Sequence, residues 1–202
     1  GFEGERVIPK ASPQKKVMVI GAGPGGLEAA VRAAEAGHSV ELYEKSDRIG
    51  GQLWIAGAPP HKHEIWELIN YYDTMLDKYD IDVMLEKEVT IDFIKEQKPD
   101  FIIAAEGAEP VKPRIEGIDD PKTVSAWDVL MNDPPLGTNI AVIGGGAVGL
   151  ETAEFLAAKG TLTPEAMHFL FMYEAETIER LRDLCTRGTK KVTVFEMLPK
   201  AA

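Results

Sequence analysis

One glycine-rich stretch occurs twice in this chain, and that duplication constrains the fold more than any other feature. The first copy reads Val17-Met-Val-Ile-Gly21-Ala-Gly23-Pro24-Gly25-Gly26-Leu-Glu28. An apolar, β-branched run enters a glycine turn, and helix-forming residues leave it. In such a turn the first glycine reverses the chain at the strand end. The second lets a backbone approach a pyrophosphate, and the third lets the helix pack on the strand. The helix N-terminus then offers N–H groups and a partial positive charge to an anion. The second copy, Ile140-Ala-Val-Ile-Gly144-Gly-Gly146-Ala-Val148-Gly149-Leu-Glu151, repeats the pattern at a constant offset of 123 residues. Gly37 and Gly160, where each helix is expected to stop, keep that offset.

Each copy has an acid where the next strand ends. Ser39-Val-Glu-Leu-Tyr-Glu44 follows the first and Val192-Thr-Val-Phe-Glu196 the second, now at an offset of 152. The second copy therefore carries a 29-residue insertion, at about 161–189, between its helix and its next strand. Strand, glycine turn, helix, strand and acid together make a dinucleotide-binding pattern, where the turn alone is a weak signal. A carboxylate at that position accepts hydrogen bonds from a ribose 2′-hydroxyl and disfavours a 2′-phosphate. Both sites are thus expected to prefer NAD-type over NADP-type ribose.

The rest of the chain reads as an α/β fold. Residues 1–15 form a polar arm. Residues 16–137 are expected to form one dinucleotide-binding, Rossmann-like domain, and 138–202 the start of a second. Paired glycines, Gly50-Gly51, precede Gln52 and Leu53 and suggest close approach to a ligand. Ile65, Trp66, Leu68, Ile69, Tyr72, Leu76 and Tyr79 recur at helical spacing and read as a core-facing stripe. Strands are expected at Ile81–Leu85 and Phe101–Ala105, with a short helix from Ile91 to Gln97 between them. Trp127, Val129 and Leu130 form an apolar cluster before the second copy. In the insertion, Thr163-Pro164-Glu165 starts one helix with Met167, Leu170 and Phe171 inward. A second carries Ile178, Leu181 and Leu184 and stops near Gly188. A dinucleotide-binding half needs at least three parallel strands. The second copy has two, so the chain is expected to be a fragment of a longer enzyme, with an exposed sheet edge that invites homo-oligomer formation.

Composition narrows the partners. With 22 basic and 33 acidic residues the net charge is −11, which disfavours nucleic acid and anionic membrane surfaces. No apolar run approaches the ~18 residues of a membrane span. Cys185 is the only cysteine. The chain alone therefore builds no disulfide, four-cysteine zinc site or iron–sulfur cluster, and a lone thiol fits a reducing cytoplasm. His38, His61, His63 and His168 show no metal-ligand spacing. No Ser/His/Asp set is evident, so no catalytic side chain and no metal site are assigned.

The order of these motifs resembles the two-dinucleotide-binding-domain flavoprotein reductases. The features are the first glycine turn, its acid, Gly-Gly-Gln-Leu, a strand ending near Val89, Ile-Ile-Ala-x-x-Gly-Ala-x-Pro, and the second glycine turn. Within that class the chain is most similar to the C-terminal half of bacterial NADH:flavin oxidoreductases of the 2,4-dienoyl-CoA reductase and trimethylamine dehydrogenase type. The resemblance implies FAD at Gly21, Gly23, Pro24, Gly25, Gly26, Glu44, Lys45, Gly51, Gln52, Leu53, Val89 and the Ala105-Glu106-Gly107 turn. It implies NAD(H) at Gly144, Gly146, Val148, Gly149, Glu151 and Glu196. It also implies an N-terminal barrel partner domain holding FMN and a 4Fe-4S cluster. Some members of that class hold ADP in place of FAD. Disulfide and thioredoxin reductases place cysteine pairs that this chain lacks, so electrons would leave through another domain. One departure stands out: Glu106 occupies a position where the class usually has threonine. Two readings follow. The chain passes hydride from NADH through FAD to a partner domain that reduces an enoyl-type substrate, or it is a structural ADP- or FAD-binding module with no redox chemistry of its own. A reductase subunit of the glutamate synthase type fits less well, since such subunits usually take NADPH.

Overall fold

The computed structural model describes residues 8–199, so residues 1–7 of the expected arm lie outside the described part. The chain divides into two compact units. The first comprises residues 1–56 and 64–114; the second comprises 57–63 and 115–202.

The first unit is built on a four-stranded parallel sheet. Its strands are β1 (Lys16–Ile20), β2 (Ser39–Tyr43), β3 (Asp82–Met84) and β4 (Phe101–Ala104), in the order β3-β2-β1-β4. β1 pairs in register with β2 from Lys16↔Ser39 to Ile20↔Tyr43, and with β4 from Val17↔Phe101 to Ile20↔Ala104. Helices α1 (Pro24–Glu35), α2 (Leu53–Ala56), α3 (Glu64–Lys78) and α4 (Ile91–Gln97) connect them. α1 packs on β1, β2 and β4, and α3 packs on α1. The periodic residues of both helices meet the strands in one core of Val17, Val19, Leu27, Ala30, Val31, Val40, Leu42, Tyr72 and Leu76. Leu27 and Leu42 are fully buried, a burial that stabilises the fold by about 2 kcal/mol per side chain. The arm is tied down from Lys10 onward. Ala11 N–H donates to Ala36 O at 2.8 Å, and Lys10 Nζ to Glu35 O at 2.9 Å.

The second unit contains α5 (Ala126–Asn132), β5 (Asn139–Ile143), α6 (Ala147–Ala158), α7 (Pro164–Met172), α8 (Ile178–Thr186) and β6 (Lys191–Phe195). β5 and β6 pair in parallel from Asn139↔Lys191 to Ile143↔Phe195. Thr152, Ala153 and Leu156 bury one side of α6, which packs on β6 and α5.

Several expectations need correction. The strand expected to end near Val89 stops at Met84. Glu86 takes a left-handed φ of 53°, which turns the chain while Glu86 and Lys87 N–H still bond to Ser46 and Glu44 carbonyls. Val89 lies in the loop that follows. α2 was not expected; four residues are too few to show helical periodicity. The Trp127 cluster is one face of α5, started by the Ser125 hydroxyl. The insertion forms the two helices expected, but Met167, Phe171 and Ile178 are exposed, and Leu181 is its buried anchor. α8 stops where expected, ending at Thr186 with the C-cap Arg187, which is followed by Gly188. Gly188 lies where a Cβ would collide with the Ala157 carbonyl oxygen, so its role is close approach to the end of α6.

Candidate functional site: two glycine cradles

In the first unit the strand order reverses at β1: β2 and β3 lie on one side, β4 on the other. Ligands of open α/β sheets bind at such a switch point, beyond the carboxyl ends of the strands. The glycine turn stands there. Gly21 has φ +100°, and a Cβ on it would strike the Ala105 carbonyl. A Cβ on Gly26 would strike the Gly21 carbonyl oxygen. Gly23 and Gly25 differ from these two. Nothing lies within 4 Å of where their side chains would start, so their faces are open to a ligand. Pro24 occupies the first helical position, where its missing N–H costs nothing.

The helix ends carry the sharpest contrast. In α4, α5, α7 and α8 a Thr or Ser hydroxyl caps the N-terminus: Thr90 accepts from Phe93 N–H, Ser125 from Asp128, Thr163 from Ala166 and Thr177 from Arg180. In α1 and α6 the cap is Gly23 or Gly146, and no side chain accepts from the first turn. Helix N–H groups need partners. At these two ends they are presented to the open cradle, as a phosphate site requires.

Each acid grips its own turn. Glu44, 9% exposed, accepts Ala22 N–H at 2.7 Å through Oε2. Its Oε1 takes Ser46 N–H and Oγ–H at 2.8 Å each. Burial pushes its pKa up, but these bonds outweigh burial and hold it below the ordinary 4.5. Glu196 repeats the arrangement: Oε2 accepts Gly145 N–H at 2.6 Å and Oε1 Leu198 N–H at 2.8 Å. The Leu198 bond, then the Gly145 bond, lowers its pKa. Both acids thus stand at the turn, ionised and fixed in direction by main-chain donors.

The remaining assigned residues fall into two groups. Gly51 lies against the turn, with its would-be Cβ 2.9 Å from Gly23 Cα. The Gly50 position faces Ile69 Cδ1 and Trp54 Nε1, each at 2.9 Å. The paired glycines therefore serve close packing on the protein itself. Gln52 Nε2 donates to Ala108 O at 2.8 Å, which joins this loop to the Ala105-Glu106-Gly107 turn beside Gly21. Leu53 begins α2, and Lys45 is exposed beside Glu44. Val89 lies in the loop after the Glu86 turn, before α4. In the second cradle, Gly144 (φ +110°) and Gly149 repeat Gly21 and Gly26, and Val148 is half exposed on the first turn of α6. Glu151 forms an ion pair with Lys62.

Sequence reasoning missed Ala22, Gly145, Ser46, Leu198 and Lys62. The first two carry the N–H that each acid accepts, and no side-chain pattern marks a backbone donor. Among the described residues no group of His, Cys, Asp and Glu could hold a metal ion. No helix there is long and apolar enough to cross a membrane.

A parallel sheet with a glycine cradle at its switch point, and a second glycine turn on a parallel strand pair, define a Rossmann-like nucleotide-binding flavoprotein domain. Residues 15–201 match the family model described as pyridine nucleotide-disulphide oxidoreductase, and the chain belongs to that family, whose members bind FAD and NAD(P). It is 40% identical over 201 residues to the metal reductase of Desulforamulus reducens, covering 98% of this chain and 30% of that one. It is 42% identical over 157 residues to the NADH oxidase of Thermoanaerobacter brockii, covering 76% of this chain and 24% of that one. Among solved structures, a 2-naphthoyl-CoA reductase bound to 2-naphthoyl-CoA matches with a TM-score of 0.72 and 32% identity, over 93% of this chain and 29% of that one. The chain spans about 30% or less of the length of these relatives. It is an oxidoreductase-family domain, flavin- and NAD(P)-dependent in class, with reductases among its relatives.

Proposed function

We propose that this chain is the dinucleotide-binding part of a larger reductase, with FAD in the first cradle and NADH in the second. When bound, these cofactors supply the hydride chemistry; the protein binds and orients them. In this reading Gly23, Gly25 and the first turn of α1 hold the FAD pyrophosphate, and Glu44 holds its adenosine ribose. Lys45, Gly51, Gln52, Leu53, Val89 and residues 105–107 line the remainder. Gly144, Gly146, Val148 and Gly149 hold the NADH pyrophosphate, Glu196 its ribose, and Glu151 flanks the helix end. Residues 16–137 and 138–202 are the two domains, and electrons leave for a partner FMN/iron–sulfur barrel domain that reduces an enoyl-type substrate. The reductase identities of the relatives support that direction, the 2-naphthoyl-CoA reductase most specifically.

One observation carries the reading. Among the described residues, the helices with a glycine cap and no accepting side chain are the two that follow the glycine turns. The test is a visible spectrum of the purified protein, followed by denaturation, identification of any released nucleotide, and titration with NADH. A flavin band, released FAD and bleaching of that band by NADH are expected. A colourless protein that releases ADP would establish the structural-module reading instead. A protein that stays empty after incubation with FAD and ADP would overturn both.

A further inference from the structure

We propose that Glu106 is an affinity-setting residue of the first cradle: a fixed negative charge that weakens the hold on any diphosphate-bearing nucleotide. The proposal rests on the reading of that cradle as a nucleotide diphosphate site. The placement comes from the backbone. Ala105 N–H donates to Ile20 O at 2.8 Å, which continues the β1–β4 pairing past the strand ends. The chain then crosses directly over the first glycine of the turn. A Cβ on Gly21 would lie 2.8 Å from the Ala105 carbonyl carbon and 3.3 Å from Glu106 Cα. The next residues are held as well, since Gln52 fastens Ala108 and Gly107 turns with φ +77°. Glu106 is therefore fixed at the rim of the place where phosphate charge would collect.

Glu106 is exposed, and among the described residues its carboxylate has no hydrogen bond and no ion pair. The turn from Gly21 to Leu27 and the loop from Gly50 to Leu53 contain no Lys, Arg or His. Lys45, beside Glu44, is the one basic residue assigned to this cradle; at the turn itself the cradle offers anions N–H groups and the α1 dipole. Glu44, the other carboxylate at the turn, has both oxygens occupied by N–H and O–H donors, whereas Glu106 has none. A bare carboxylate near a diphosphate repels it through partly screened solvent.

The experiment measures ADP and FAD dissociation constants by calorimetry in the 202-residue protein, at 50 mM and 500 mM NaCl. Glu106→Gln, Glu106→Lys and Glu106→Asp are compared with the unaltered chain. Glu176→Gln, in the turn between α7 and α8, makes the same change of net charge outside the cradle. Glu106→Gln is expected to bind ADP about tenfold more tightly at 50 mM NaCl, with most of the gain lost at 500 mM. Glu106→Lys should bind more tightly still, and Glu106→Asp and Glu176→Gln should match the parent. Equal or weaker ADP binding by Glu106→Gln, with the parent still binding, overturns the role of Glu106 alone. Failure of every variant to bind either nucleotide overturns the reading of the cradle itself. Circular dichroism of each variant confirms the fold, which an exposed, unbonded side chain should not disturb.

Discussion

The Glu196 carboxylate accepts the backbone N–H of Gly145 at 2.6 Å, although 51 residues separate them. Glu44 and Ala22, 22 residues apart, make the same bond in the first unit. The 29-residue insertion leaves this relationship unchanged, because the contact joins the ends of neighbouring parallel strands. Its length is taken up by α7 and α8, away from the turn in sequence.

Glu44→Ala should destabilise the first unit by about 1–3 kcal/mol, the cost of leaving a buried donor without a partner; Ala22 is fully buried. Urea unfolding read by far-ultraviolet circular dichroism measures it. Glu196→Ala should have a smaller effect, since Glu196 is exposed and water can replace it.

Acid should weaken the first unit through the same carboxylate. The folded pKa of Glu44 lies below its ordinary 4.5: burial raises it, and the Ala22 and Ser46 bonds lower it by more. Its contribution is therefore fully present above pH 4.5 and lost as pH falls through the lower folded value. Urea midpoints measured from pH 6 to pH 3.5 should fall less steeply in Glu44→Gln than in the parent. Parallel curves would show that this group does not set the acid limit.

Two glycines of one turn should respond in opposite ways to the same methyl group. Gly26→Ala meets the Gly21 carbonyl and should unfold or severely destabilise the first unit, by about 3 kcal/mol or more on the scale of backbone strain and overpacking. Gly23→Ala meets nothing within 4 Å and should keep the parent's melting temperature. It should lose most of the shift that FAD or ADP gives the parent. Thermal unfolding with and without nucleotide separates the two effects.

Lys62→Met should cost about 0–1 kcal/mol, the usual range for a pair this exposed; the side chains of Lys62 and Glu151 are 40% and 30% exposed. A double-mutant cycle with Glu151→Gln isolates the coupling. A value near zero would leave the placement of residues 57–63 in the second unit to packing, including the buried Pro59.

The fold was legible wherever periodicity or a glycine pattern marks it. The duplicated turns, α1, α3, α4 and the two insertion helices are all visible in the spacing of apolar residues and the Thr and Pro start signals. What stayed hidden depends on backbone geometry. β3 stops at Met84 because Glu86 takes a left-handed conformation that its identity does not announce. Gly188 follows the C-cap of α8 as expected, but its close approach to the Ala157 carbonyl is not visible in the spacing. The residues that grip Glu44 and Glu196 do so through main-chain N–H groups, which every residue but proline possesses. In the insertion, Phe171 and Ile178 fit an inward stripe by spacing, but these short helices bury only a narrow face, and Leu181 fills it.

With nucleotides held in the two cradles as proposed, the uncapped starts of α1 and α6 make the bound nucleotide a removable part of the secondary structure. Without it, these first turns should exchange their amide hydrogens faster than the hydroxyl-capped starts of α4, α5, α7 and α8. With it, a phosphate does for two helices what a threonine does for the others. Ligand binding and local helix order then become one equilibrium, and the cradles report occupancy to the core through the helices they begin.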